Sequence, residues 1–257
     1  MTTSPFVWYE LSTTDMAAAR GFYGAVLGWG ADDMNMPGMP YTVVKAGDVP
    51  IGGIMNLPDH LAQACVPPHW IAYMACDDVD ATAKAMQADG ATIHLAPTDI
   101  PNVGRFAVMA DPAGAHFNLF KPLPGDGPVP ERYAPGTVGW RELYTSDLAG
   151  SLAFYGKYFG LTKLRSHDMG AMGSYEVFGY GGEQLGGMMD RPPQVPVSTW
   201  GFVFTVIDIE EAAARVTASG GKVLMGPMEV PGGQKTAKCL DPQGASFSMV
   251  TQPQAAA

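Results

Sequence analysis

The sequence predicts an α+β fold of two tandem domains, each made of two paired βαβββ modules. Three observations predict it. The chain is written twice: WYELSTTDMAAARGFYGAVLGW from Trp8 returns as WRELYTSDLAGSLAFYGKYFGL from Trp140, and ADPAGAHFNLF from Ala110 returns as LDPQGASFSMV from Leu240. The period has the size of a domain: Asp15 to Asp147 spans 132 residues, Gly52 to Gly186 spans 134 and Asp111 to Asp241 spans 130. Solenoid repeats run roughly 20–50 residues, so each copy is a whole domain, and the small drift places insertions in loops. Inside each copy, an order of strand, helix and further strands occurs twice.

In the first half, Phe6–Ser12 alternates, with Val7, Tyr9 and Leu11 on one face and Trp8, Glu10 and Ser12 on the other. Period two is a strand. Asp15 is an N-cap for the Ala-rich run MAAARGFYGAV, and Gly28 ends that helix. Short strands follow near Tyr41–Lys45 and Ile51–Met55. The order then restarts with a strand over Trp70–Cys76 and a helix over Val79–Ala88, closed by Asp89-Gly90. Strands over Arg105–Ala110 and His116–Phe120 complete the half. The second half repeats the series, with strands over Gly139–Tyr144, near Tyr175 and Leu185, and over Trp200–Val206, Lys235–Leu240 and Ser246–Val250. Its helices start at Leu148 and cover Ile209–Ala218. The Pro- and Gly-rich stretch PLPGDGPVPERYAPG between the copies reads as a linker. The expected boundaries are therefore 5–122, a linker over 123–137, and 138–252.

The 257 residues, 47% of them hydrophobic, suffice for two cores. Net charge is −10, and the first 122 residues hold 12 acidic against 5 basic side chains. Without a basic patch, neither nucleic acid nor an anionic membrane is an expected partner. Cys65, Cys76 and Cys239 form no CxxC pair, which reads as reduced thiols and a cytoplasmic location. No apolar run approaches the ~18 residues of a membrane span, and the N-terminus lacks the pattern of a signal peptide.

Both copies carry a strand followed by D-x-x-x-(A/S)-x-x-F-Y-x-x-x-(L/F)-G, here Asp15, Phe22-Tyr23 and Gly28, then Asp147, Phe154-Tyr155 and Gly160. Both also carry a later DPxG, at Asp111 and Asp241. This pattern resembles the glyoxalase/bleomycin-resistance/dioxygenase superfamily, the vicinal oxygen chelate (VOC) proteins. The resemblance implies that each half curls its two modules into a cup-like sheet, with helices outside and a ligand cavity inside. It also implies four cavity-facing His, Glu or Gln ligands for a divalent metal. Those positions are occupied here by Trp8 and Trp140, Trp70 and Trp200, the Gly52-Gly53 and Gly186-Gly187 pairs, and Asn118 and Ser248. A shift of one residue would bring His69 in. Indole has no lone pair to offer and glycine no side chain. The expectation is thus no metal and no cofactor.

The tryptophan pairs Trp8/Trp140 and Trp70/Trp200 read either as core packing or as an apolar wall for a planar ligand. Glu10 and Glu142 share the strand face of Trp8 and Trp140. Each is either a general acid or base in an apolar cup, or a structural carboxylate bonded to backbone or to a strand neighbour such as Arg105 or Lys235. Asn118, His116, Met55, Met189 and Ser248 complete the expected ligand-binding set. Two Met- and Gly-rich loops, residues 31–40 and 166–174, are expected at the cavity. The expected function is binding of a small apolar or planar molecule without metal, for sequestration, detoxification or a metal-free isomerase or lyase step. The alternatives are a metal-dependent lactoylglutathione lyase-type enzyme and a non-catalytic stress or structural protein. The chain is expected as a monomer with paired domains or as a homodimer.

Overall fold

A computed structural model describes residues 4–34, 40–124 and 130–253. The first half holds β1 (Phe6–Thr13), α1 (Met16–Leu27), β2 (Gly30–Met34), β3 (Tyr41–Ala46) and β4 (Val49–Asn56). After the short α2 (Asp59–Gln63) come β5 (His69–Ala75), α3 (Val79–Ala88), β6 (Thr92–Ile100), β7 (Gly104–Ala110) and β8 (His116–Pro122). The second half repeats this as β9 (Val138–Thr145), α4 (Leu148–Phe159), β10 (Thr162–Asp168), β11 (Ser174–Tyr180) and β12 (Glu183–Asp190). It closes with β13 (Thr199–Val206), α5 (Ile209–Ala218), β14 (Lys222–Glu229), β15 (Lys235–Leu240) and β16 (Ser246–Thr251). Each half makes one mixed eight-stranded sheet, ordered β2-β3-β4-β1-β5-β8-β7-β6 and β10-β11-β12-β9-β13-β16-β15-β14. This is the α+β architecture of two tandem domains that the repeat predicts.

Except for the short α2, the α-helices start where an aspartate can accept a backbone N–H. Asp15, Asp78, Asp147 and Asp208 take those of Ala18, Ala81, Gly150 and Glu211 at 2.8–2.9 Å. Gly28 and Gly160 end α1 and α4 with φ of 74° and 65°, the left-handed region where a side chain would be strained. The loop expected over residues 31–40 is in part strand, because β2 runs to Met34, and residues 35–39 lie outside the described set. Likewise β10 runs to Asp168, inside the second expected loop. In the linker, residues 125–129 are outside the described set, and 130–137 form neither helix nor strand. Among the described residues no helix is long and apolar enough to cross a membrane.

By contacts the chain groups into two compact units, each taking one module from either half. One comprises Met1–Trp8, Ile71–Asp126 and Trp140–Gly201; the other comprises Tyr9–Trp70, Gly127–Gly139 and Phe202–Ala257. The first has an aromatic core in which Phe117 of β8 meets Phe154, Tyr155 and Phe159 of α4. In the second, Phe247 of β16 meets Phe22 and Tyr23 of α1.

The motif residues that carry the repeat meet inside these units. In the first unit, the Tyr155 hydroxyl donates to Asp111 Oδ2 at 3.1 Å. In the second, the Tyr23 hydroxyl donates to Asp241 Oδ2 at the same distance. Each aspartate also ties its own turn, with Oδ1 accepting from Ala113 and Ala115, or from Gln243 and Ala245. Burial pushes both carboxyls up from their usual range, against the pull of those amides and the phenol.

Candidate functional site

Strand β9 alternates between two environments. Leu143 and Thr145 are fully buried on one face. Arg141 shares that face, its guanidinium over the Phe6 ring and donating to the Leu185 carbonyl. Trp140, Glu142 and Tyr144 take the other face and are only half-buried. Parallel pairing sets Gly187 of β12 beside Glu142 and Met189 beside Tyr144. Antiparallel pairing sets Tyr175 of β11 opposite Met189.

Gly187 decides what happens next. A Cβ there would lie 2.0 Å from Tyr175 Cζ, so the bare backbone lets the Tyr175 ring lie across β12. The Tyr175 hydroxyl then donates to Glu142 Oε1 at 3.1 Å. The Tyr144 hydroxyl donates to Oε2 at 2.9 Å, and Trp140 Nε1 donates to the Tyr175 hydroxyl at 2.7 Å. Burial, and after it the Glu142 charge, pushes both phenols above the usual tyrosine range. Each therefore stays protonated near neutral pH and acts as a donor. The result is a carboxylate held by one phenol on each oxygen, beside an indole and a thioether. A carboxylate offers about four lone-pair sites, and two are engaged by protein donors.

The first half has a reduced version. Tyr41 donates to Glu10 Oε2 at 3.0 Å, and Gly53 admits its ring, since a Cβ there would lie 2.0 Å from the Tyr41 hydroxyl. Ser12 stands where the second half has Tyr144, and Glu10 is only 7% exposed. Neither glutamate is paired with the cations weighed from sequence: Arg105 bonds Asp80 and Asp99, and Lys235 bonds Glu210. Tyr41, Tyr144 and Tyr175 were not singled out from sequence. The signal was present for the first and last, because Tyr41 and Tyr175 stand 134 residues apart, the offset of the Gly-Gly pairs.

The other expected residues are dispersed. Trp70 Nε1 donates to the Tyr23 hydroxyl at 3.0 Å, and Trp200 Nε1 to the Tyr155 hydroxyl at 2.9 Å. Both indoles thus belong to the aromatic packing beneath α1 and α4, on the core side of their strands. His116 is exposed and stacks on His94 with ring centroids 4.6 Å apart. Asn118 is buried, and Ser248 is half-buried on β16. Met55 follows Gly53 on the same face of β4, opposite Tyr41. Trp8 is half-buried on β1. In the first unit, two concavities of about 310 and 350 Å3 lie elsewhere. One is lined by Pro112, Asp147 and Lys157, the other by Asn102, Arg105 and Pro122. The polar cluster around Glu142 is therefore the candidate site.

The metal implied by the resemblance has no donor set at these positions. Tyr41 and Tyr175 fill the space over Gly53 and Gly187. Among the described residues, no three His, Cys, Asp or Glu side chains come together to hold an ion. The residues present do not fit a divalent metal of that kind.

Two eight-stranded sheets from duplicated βαβββ modules, with the glutamates on the face opposite the helices, define a tandem VOC-type protein. The chain belongs to the Glyoxalase/Bleomycin resistance protein/Dioxygenase superfamily, whose family model matches residues 6–119 and 137–249. It is 35% identical over 246 residues to "Putative glyoxylase CFP32" of Mycobacterium bovis, covering 95% of this chain and 93% of that one. It is 31% identical over 256 residues to "Anthracycline biosynthesis protein DnrV" of Streptomyces peucetius, covering 95% and 91%. Among solved structures, 2,2',3-trihydroxybiphenyl 1,2-dioxygenase of Sphingomonas wittichii superposes with a TM-score of 0.69 at 12% identity, covering 98% of this chain and 92% of that one. That last likeness is one of fold.

Proposed function

We propose that the protein binds a small planar molecule bearing hydroxyl groups at the Glu142 cluster, without a metal. The observation that carries this reading is the pair of phenols on Glu142. They fix the carboxylate in place and leave lone pairs for a ligand hydroxyl, while Trp140 and Met189 supply apolar contact. The relative named for anthracycline biosynthesis supports the planar class, since an anthracycline is a fused-ring molecule. A carboxylate flanked by protonated phenols is also an arrangement suited to moving a proton on the bound molecule, as in a metal-free isomerase or lyase step. Glu10 with Tyr41, and Met55 opposite Tyr41, form the corresponding, more enclosed element of the first half.

The test is a fluorescence titration of 1,4-dihydroxyanthraquinone into protein treated with EDTA and shown metal-free by elemental analysis. The reading predicts saturable binding by the metal-free protein, weakened tenfold or more in Glu142→Gln with an unchanged melting temperature. Binding that needs about one added divalent ion per chain would overturn the metal-free reading in favour of a metal-dependent lyase. Unchanged affinity in Glu142→Gln would overturn the assignment of the site.

A further inference from the structure

We propose that the planar molecule bound at the Glu142 cluster also carries a carboxylate, received by Arg165 at the far end of the same ladder row. The inference rests on the Glu142 reading and adds the charge and orientation of the ligand. Register gives the row. Glu142 of β9 pairs with Gly187 of β12, Gly187 with Val177 of β11, and Val177 with Arg165 of the edge strand β10. Directly paired residues share a face of the sheet. Glu142 and Arg165 therefore stand on one face, three strand spacings or about 14 Å apart at the backbone. The row beside it runs through Tyr144, Met189, Tyr175 and His167.

The first half has the same two rows, Glu10, Gly53, Val43, Asp32 and Ser12, Met55, Tyr41, Met34. Glutamate, glycine and valine recur in the first row, and the fourth position changes sign, from Asp32 to Arg165. Asp32 is paired with Lys45 at 2.7 Å. Arg165 has no carboxylate partner among the described residues; its Nη2 donates to Gln184 Oε1. Gln184 belongs to β12, so the guanidinium reaches inward across β11, toward the strand of Glu142. A guanidinium is a planar fork of five donors that matches a carboxylate bidentately, and Gln184 engages one of its nitrogens. Beside it His167, where the first half has Met34, adds an N–H donor in either protonation state. Between the two ends the row holds a glycine and a valine, and the Tyr175 ring lies over β12 as a flat floor. Glu142 accepts from a hydroxyl and repels a second carboxylate, whereas Arg165 attracts one. The class is thus a hydroxyaryl carboxylate with its two groups at opposite ends of a fused-ring plane.

The experiment compares 6-hydroxy-2-naphthoate with its methyl ester, which keeps the rings and the hydroxyl and loses the charge, by calorimetric titration of the full chain treated with EDTA. The proposal predicts that the acid binds about fivefold or more tightly than the ester, the scale of an exposed bidentate ion pair. Arg165→Gln should remove this preference by weakening the acid alone. Arg165→Asp, which copies the first half, should reverse it. Both changes fall at an exposed position and should leave the melting temperature unchanged. Glu142→Gln should weaken both probes. Equal affinity of the two probes for the wild type, or a preference that survives Arg165→Gln, would overturn the inference; weakening of the ester in Glu142→Gln would then leave the Glu142 reading standing. No binding of either probe would overturn it too, and the dihydroxyanthraquinone titration decides the Glu142 reading separately.

Discussion

At the scale of single residues, the site depends on a glycine. Gly187 lies next to Glu142 only because a larger residue would push away the Tyr175 ring. Gly187→Ala should therefore cost about 1–3 kcal/mol, as overpacking does, and should cost less when Tyr175→Ala is also present, since the two sites share one space. Equal losses in both backgrounds, read from denaturant melts, would show that the ring is not what the glycine accommodates. The neighbouring Glu176 points to the other face of β11. There, burial alone would push its carboxyl up, but Lys163, Ser166 and Ser174 bring it down to about 2. A depressed folded value stabilises the fold above the unfolded value of 4.5, and the gain is lost as pH falls from there toward 2. Wild type should thus be more stable than Glu176→Gln at pH 7, with the gap closing below pH 4.5. A gap independent of pH would contradict this. Glu142 was readable in the sequence because strand parity and the repeat both point to it. Its partners were not, since a hydrogen bond from β11 depends on register that no local pattern records.

At the scale of elements, what was legible depended on burial. The strands rich in buried apolar residues, such as β1, β5, β13 and β16, stand where expected. β2, β6, β10 and β14 were implied by the βαβββ order but not located. Each lies at the edge of its sheet and is mostly exposed, so its residues carry no alternation to read. Helix α1 was legible through Asp15 and Gly28, and α4 through the repeat of that motif, while the short α2 was not foreseen and the Asp208 cap of α5 was not singled out. Asp208→Ala should cost about 1 kcal/mol, or roughly 2–4 °C in a chain of this size, with binding at Glu142 untouched. A change below half a degree in a calorimetric melt would show that the cap carries no weight.

At the scale of the whole molecule, the repeat announces two copies but not which copy a motif residue meets. The Tyr of one FY motif bonds the Asp of the other half's DPxG, because each compact unit takes one module from each half. The motif residues that carry the family resemblance are therefore ones that hold the fold together. Tyr23→Phe and Tyr155→Phe each leave a buried carboxylate oxygen and an indole N–H short of a partner. Each should cost about 1–3 kcal/mol, by similar amounts, since the two geometries match. A large loss in one and none in the other would contradict that equivalence. The central claim, that the ligand sits at Glu142 rather than among the core tryptophans, is tested most directly by the indole N–H resonances of the five tryptophans during titration with 1,4-dihydroxyanthraquinone. The account predicts that the Trp140 signal, assigned by Trp140→Phe, shifts as the probe settles beside the Tyr175–Glu142 bond, while those of Trp70 and Trp200 stay fixed. A titration that moves Trp70 or Trp200 and leaves Trp140 in place would contradict it.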